Sequence, residues 1–204
     1  MYNILANKDM IEETIKNLEA NGIKGIFVET GAQALEKIKE LIPAGASVMN
    51  GSSKTLEKIG FVDYLKEDKH GWNNLHEGIL AEKDPAKQAL LRKQAVLSDY
   101  YLGSVHALSK TGEFIVASNS GSQLPHIVFT SPNLIFVVGA QKIVATIEEG
   151  LKRLQEYVIP LEDDRMMEKS NVHTYPSKVL IFKKEQPFMA RKVTMIMVNK
   201  ILGF

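Results

Sequence analysis

The sequence predicts an α/β fold in which helices pack on a largely parallel β-sheet. Strand-like apolar runs alternate with helical stretches along most of the chain, which is the order expected of βαβ units. Residues 134–138 are apolar throughout, as in a central parallel strand that is buried on both faces. The 204-residue chain has no internal repeat and no low-complexity linker, so we expect one domain spanning residues 1–204.

The first half of the chain is expected to alternate helices and strands. Apolar residues at helical spacing predict a first helix over residues 8–21, with Asn7 as its N-cap and Gly22 just after its end. Residues 61–82 match no clear pattern. The same reasoning predicts strand 23–28, helix 31–41, strand 46–49, helix 55–59 and a helix over 84–97 that opens with Asp84 and Pro85.

The second half is richer in strands. A helix is predicted over residues 141–157 and ended by Pro160, and the polar residues 161–177 are expected to form a loop. No helix separates the last two predicted strands, so they are expected to make an antiparallel edge of the sheet. The predicted strands are residues 100–102, 114–117, 134–138, 178–182 and 193–198.

The composition excludes several classes of function. The net charge is +1, which gives no electrostatic reason to expect nucleic acid or an acidic membrane surface as a partner. The sequence has no cysteine, so a disulfide, a thiolate nucleophile and a cysteine-held iron–sulfur cluster are excluded within it. No signal peptide and no membrane-spanning run is visible, and we therefore expect a cytoplasmic protein.

Two loops rich in serine and glycine are the strongest functional signal. Each follows a predicted strand, and ligands in open α/β sheets usually bind at the carboxyl ends of strands. Glycine allows close approach of the backbone, and N–H groups together with hydroxyls can hold an anion. We expect the loops to meet in one pocket for a small anion. The candidate ligand-binding residues are Asn50, Gly51, Ser52, Ser53 and Thr55 in the first loop, and Ser118, Asn119, Gly121, Ser122 and Gln123 in the second.

Each loop also has a purely structural interpretation. Serine and threonine are favoured N-caps, so the first loop could simply begin a helix, and it lacks the spacing of a P-loop. The second could be a solvated surface loop. For proton transfer the candidates are His106 and Glu113, although a lone histidine is more often a hydrogen-bonded packing residue. No histidine pair has zinc-site spacing, so neither a metal site nor a cofactor is predicted.

Five ordered stretches resemble the LUD-domain family, the family of lactate utilisation proteins. This resemblance implies a Rossmann-like α/β sandwich similar to ribose-phosphate isomerases and CoA transferases. It also implies a link to lactate oxidation, in which family members accompany iron–sulfur proteins. Lys110 stands where relatives often carry an acid, and the cysteine-rich segment of some relatives is missing, so electron transfer within this chain is not expected. The five stretches are residues 50–60, 104–113, 118–125, 137–144 and 198–204.

Three functional hypotheses follow from these observations. The first is a subunit or enzyme that binds a small carboxylate or phosphorylated metabolite in the two-loop pocket. The second is a non-catalytic assembly subunit that docks iron–sulfur partners, which predicts an apolar surface patch in place of a deep polar pocket. The third, an enzyme resembling CoA transferases or isomerases, rests on fold analogy alone. A homo-oligomer stays open in all three.

Overall fold

Two β-sheets form the framework of the protein. The computed structural model describes residues 2–67 and 69–204. The first sheet has six strands in the order β1-β10-β7-β4-β2-β3, and each pair of adjacent strands in it is parallel. The second, mixed sheet has the order β8-β5-β6-β9. The strands are β1 Ile23–Val28, β2 Ser47–Asn50, β3 Asn73–Asn74, β4 Tyr100–Gly103, β5 Ala107–Ser109, β6 Phe114–Ser118, β7 Asn133–Gly139, β8 Ile143–Val144, β9 Lys178–Phe182 and β10 Lys192–Val198.

Helices cover both faces of the six-stranded sheet, and several begin with the caps that the sequence offers. The Asn7 side chain accepts a hydrogen bond from the Met10 amide, and Thr30 and Gln33 form a reciprocal capping box. Among the described residues no helix has the length and apolar character needed to cross a bilayer. The α-helices are α1 Lys8–Ala20, α2 Gly31–Leu41, α3 Lys54–Lys58, α4 Phe61–Lys66, α5 Leu75–Ala81, α6 Pro85–Gln94, α7 Ile147–Arg153 and α8 Ile159–Ser170.

The core lies on the two faces of the parallel sheet and is continued by the second sheet. Along β7, Leu134, Phe136 and Val138 face the cluster shared with α1 and the second sheet, whereas Ile135 and Val137 face the cluster shared with α2, α3 and α4. This alternation follows from the two-residue period of a strand. Since both faces are covered, the strand must be apolar throughout, as residues 134–138 are. The second sheet packs its other face on α7.

Most predicted elements are confirmed, and the α/β class with them, but the predicted helix over 141–157 begins too early. Ala140–Lys142 is a 3-10 turn, and Ile143–Val144 pairs with β5 before Thr146 caps α7. Pro160 does not end the helical segment. It lies in the first turn of α8, after a π-helical turn at Leu154–Val158, where its missing N–H removes no regular bond. The predicted loop over 161–177 is therefore wrong for residues 161–170.

The last two strands belong to different sheets, so the expectation that they pair at one edge is wrong. β9 is antiparallel to β6 at the edge of the second sheet. β10 lies between β1 and β7 and is parallel to both. Every residue from Val193 to Val198 is buried, which suits a central strand and not an edge. The antiparallel edge of the fold is thus β9 alone.

Candidate functional site

The two serine- and glycine-rich loops meet at one cavity of about 530 Å³. Gly51 follows β2 and lies against Tyr101 of β4 and Gln123 of the second loop. A Cβ atom on Gly51 would be 2.6 Å from Tyr101 Oη and 3.4 Å from Gln123 Oε1, so this close approach requires glycine. The Tyr101 hydroxyl donates to Gln123 Oε1 at 3.1 Å and joins the two loops. The cavity lies at the carboxyl ends of β2 and β4, where an open α/β sheet usually binds its ligand.

Most of the predicted site residues line this cavity. They come from both loops and from the connection that follows β4. The side chains in this predicted set are short and polar, apart from the imidazole ring of His106. The predicted residues in the lining are Gly51, Ser52, Ser53, Thr55, His106, Ser118, Asn119, Ser122 and Gln123.

Three predicted residues lie outside the lining. The Asn50 side chain is buried below the first loop, and its Nδ2 donates to the Gly51 carbonyl at 3.2 Å. Gly121 has a φ of +83°, and its amide donates to Ser118 Oγ, so it shapes the second loop without facing the cavity. Glu113 sits at the far end of the β5–β6 hairpin and accepts a hydrogen bond from Thr111 Oγ1. The structure therefore does not bring Glu113 and His106 together.

Lys142 is the main site residue that sequence reasoning missed. It is 3% exposed, and its Nζ donates to Thr55 Oγ1, Ser104 Oγ and the Val105 carbonyl, each at 3.1 Å. These acceptors are all neutral. Burial, followed by the positive charge of Arg153, lowers the pKa of Lys142 to about 7. Lys142 lies three residues after the end of β7, where the sequence predicted the start of a helix, and nothing in that pattern indicates a buried lysine.

A second buried cation, Arg153 of α7, lies behind His106. The guanidinium is fully buried, and its Nη1 donates to the His106 carbonyl. Within the described residues Nε and Nη2 have no hydrogen-bond partner. Burial lowers the pKa of Arg153 to about 10, and the Tyr157 ring lies 5.2 Å from the guanidinium carbon. At pH 7 Arg153 is therefore still a cation.

His106 is held as a neutral imidazole. The Ala117 amide donates to its Nδ1 at 3.1 Å, so the ring proton of the neutral form lies on Nε2. Burial, together with the charges of Lys142 and Arg153, lowers the pKa of His106 to about 3. At neutral pH the ring can therefore donate one hydrogen bond from Nε2. Its predicted role in proton transfer stays a prediction.

The electrostatics of the cavity favour an anion. The acidic side chain in the described lining is Glu162, and it is already bonded to Arg165. In the described part of the chain no carboxylate pairs with Lys142 or Arg153. The segment after α7, helix α8 and the last residue add both apolar and charged side chains to the lining. The apolar ones are Leu154, Val158, Ile159, Met166 and Phe204, and α8 also contributes Glu162, Arg165 and Lys169.

Comparison with known proteins gives one family and one related fold. The family model described as the LUD domain matches residues 11–194. A crystal structure of a DUF162 family protein from Deinococcus radiodurans is similar, with a TM-score of 0.59 and 12% sequence identity, over 96% of this chain and 100% of that chain. At this identity the likeness concerns the fold alone. No curated protein matches the chain.

Proposed function

This chain belongs to the LUD-domain family, and from that premise we propose that it binds a small anionic metabolite as part of L-lactate utilisation. The ligand would be a carboxylate or a phosphorylated metabolite held in the two-loop cavity. The observation that supports this proposal most strongly is Lys142, a buried lysine that is charged below about pH 7 and whose hydrogen-bond acceptors are all neutral. A cytoplasmic location stays a prediction.

The argument rests on the cost of burying a charge. Removing an ammonium or guanidinium group from water costs several kcal/mol unless an opposite charge or strong hydrogen bonds compensate it. Arg153 lies close enough to Lys142 to lower the affinity of Lys142 for a proton, which adds to the cost of its buried charge. An anion in the cavity, which Lys142 lines, would offset that cost.

Neutral groups in the lining would orient such an anion. Ser104 Oγ accepts from Lys142 and donates to the Val105 carbonyl over a long 3.4 Å, so its proton can be redirected to a ligand. Ser53 Oγ likewise accepts from the Leu56 amide and can donate into the cavity. His106 adds a donor at Nε2. Hydroxyl and imidazole donors of this kind suit the oxygens of a carboxylate or a phosphate.

The direct test is thermal stability with and without candidate ligands. L-lactate, pyruvate, ribose 5-phosphate and CoA would each be added, with lactamide and pyruvamide as uncharged controls. A ligand at a hundred times its Kd stabilises the native state by about 2.7 kcal/mol, which raises Tm measurably. Lys142→Met should abolish the shift, whereas Lys152→Met, an exposed lysine on α7, should keep it. The proposal fails if no anion raises Tm, or if the uncharged controls raise it equally.

A second candidate, docking of iron–sulfur partners, is favoured by one observation. Leu97 and Phe129 are 73% and 67% exposed and form an apolar patch. They lie in the two helical turns that precede β4 and β7, and these turns pack against each other. The patch is therefore at the end of the sheet opposite the cavity. If it docks a partner, the double variant Leu97→Asp with Phe129→Asp should lose binding to purified iron–sulfur proteins of lactate oxidation in sedimentation velocity. Leu90→Asp, on exposed α6, is the matched control.

A further inference from the structure

We propose that Lys142 forms a reversible imine with the carbonyl carbon of a 2-oxo acid held in the cavity. The proposal deepens the anion-binding function and rests on it, because it names both the class of ligand and the group that reacts with it. It depends on the position of Nζ at the cavity wall, on its neutral surroundings and on the hydroxyl groups bonded to it.

Lys142 differs from the other lysines around the cavity. Lys54 pairs with Glu57 at 2.8 Å, and Lys169 is exposed, so one has a counter-charge and the other has solvent. Lys142 is enclosed, and the described chain brings no carboxylate to it that would hold the proton in place. A lysine that is desolvated beside another cation is the usual form of an amine that reacts with carbonyl groups.

The charge balance of the product selects a 2-oxo acid. A protonated imine on Lys142 is again a buried cation, and the surrounding acceptors are the neutral oxygens of Thr55, Ser104 and Val105. A 2-oxo acid carries its carboxylate on the carbon next to the new C=N bond. The product is then an internally neutral pair, which avoids the cost of an isolated buried charge. A neutral ketone or aldehyde offers no such compensation.

The reaction balances without an oxidant or a reductant. The Nζ lone pair attacks the carbonyl carbon, a C–N bond forms, and the former carbonyl oxygen takes up a proton to give a carbinolamine. Loss of that oxygen as water breaks the C–O bond and leaves the imine. Both protons of the neutral amine end on the departing water, and the imine nitrogen takes up the proton that the Lys142 ammonium released on becoming the attacking amine, which gives the protonated imine. Ser104 Oγ, 3.1 Å from Nζ, is placed to carry a proton between nitrogen and oxygen.

The test is reductive trapping with pyruvate and sodium cyanoborohydride, followed by intact mass and peptide mapping of the full chain. One reduced pyruvyl adduct is expected per chain, on the peptide that contains Lys142. At about pH 7.4, an exposed lysine with a pKa of about 10.4 has roughly one amine in a thousand deprotonated. With a pKa of about 7, about seven in ten Lys142 side chains are deprotonated at that pH, so Lys142 should be labelled several hundredfold more than an exposed lysine. Lys142→Arg should give no adduct, and Lys152→Met should label normally.

The outcomes separate this inference from the proposed function. A rise in Tm with pyruvate together with an adduct on Lys142 supports both. A rise in Tm with no adduct, or with adducts spread over surface lysines, overturns the imine and leaves anion binding standing. If pyruvate gives neither, the imine is overturned, and anion binding is overturned with it only if none of the other anions raises Tm. Equal labelling of Lys142 by pyruvamide would refute the requirement for an anion. Because the map of the wild-type chain locates the adduct, the result does not depend on whether Lys142→Arg folds.

Discussion

Replacing Lys142 by methionine should make the empty protein more stable, although it removes the group on which the proposed ligand binding depends. The reason is the difference between the ordinary lysine pKa of 10.5, expected in the unfolded chain, and about 7 in the folded protein. Each pH unit of difference corresponds to about 1.4 kcal/mol, so keeping Lys142 charged in the fold costs on the order of 5 kcal/mol. Lost hydrogen bonds to Thr55 and Ser104 offset part of this, at about 1 kcal/mol each. We expect a net gain of about 1–3 kcal/mol below pH 7.

The pH dependence gives the sharper form of this prediction. Between pH 7 and 10.5 the unfolded chain keeps the Lys142 proton while the folded protein releases it, so the unfolded state binds more protons. Stability of the wild type therefore rises with pH in this window, and the cost of the buried charge is fully present below it. Relative to Lys142→Met, the wild type should gain about 1.4 kcal/mol for each pH unit within the window.

Urea unfolding of both proteins at about pH 6 and about pH 9 measures this difference, because groups that titrate equally in both cancel. From pH 6 to pH 9 the advantage of the variant should shrink by about 2.7 kcal/mol. Lys152→Met, measured in parallel, should show no such change. If the difference between wild type and Lys142→Met is the same at both pH values, the pKa of Lys142 is not lowered and the argument for a reactive amine collapses.

Three further predictions concern the loops and the connection to the last strand. Ser52→Ala combined with Ser122→Ala should weaken anion binding in calorimetry while leaving Tm of the empty protein within a few degrees, since both hydroxyls line the cavity; normal binding would show that the lining is assigned wrongly. Gly51→Ala should lower the free energy of urea unfolding by about 1–3 kcal/mol, because the added Cβ would lie 2.6 Å from Tyr101 Oη. Tyr101→Phe should restore part of that loss. A Gly51→Ala protein as stable as the wild type would contradict the close approach. Glu185→Gln should lower the free energy of unfolding by about 3–5 kcal/mol, because it leaves the buried guanidinium of Arg191, 2.8 Å away, without its counter-charge. A change near zero would mean that water already solvates this ion pair.

Local patterns in the sequence were sufficient for most of the fold. Strand β1 and helix α2 begin and end where apolar spacing and capping residues place them, because those signals act within a few residues. β10 shows the limit of that reasoning. Its apolar run is visible in the sequence, but its place between β1 and β7 depends on pairing with strands far away along the chain. A preceding strand without an intervening helix indicated an edge, and the connection in fact crosses from one sheet to the other.

The candidate site was predictable only in its loops. Serine and glycine after a strand indicate a cavity because strand ends gather ligand-binding loops in this class of fold. Lys142 gives no such signal, because a lysine on its own predicts an exposed side chain. Its burial follows from the 3-10 turn at Ala140–Lys142, which turns the chain inward from β7 before β8 begins. That turn lies in the stretch where an amphipathic helix was expected.

The contacts of Lys142 connect the proposed chemistry to the framework itself. Its Nζ joins the β7–β8 connection to Thr55 of α3, on one side of the parallel sheet, and to Ser104 and Val105, where the chain passes from β4 of the first sheet to β5 of the second. Deprotonation or imine formation at this nitrogen removes donors from those bonds. A ligand that reacts there must therefore loosen or rearrange contacts between the two sheets, whereas an anion that only neutralises the ammonium can leave its three N–H donors in place. The two proposed modes of binding thus differ in their effect on the same three contacts.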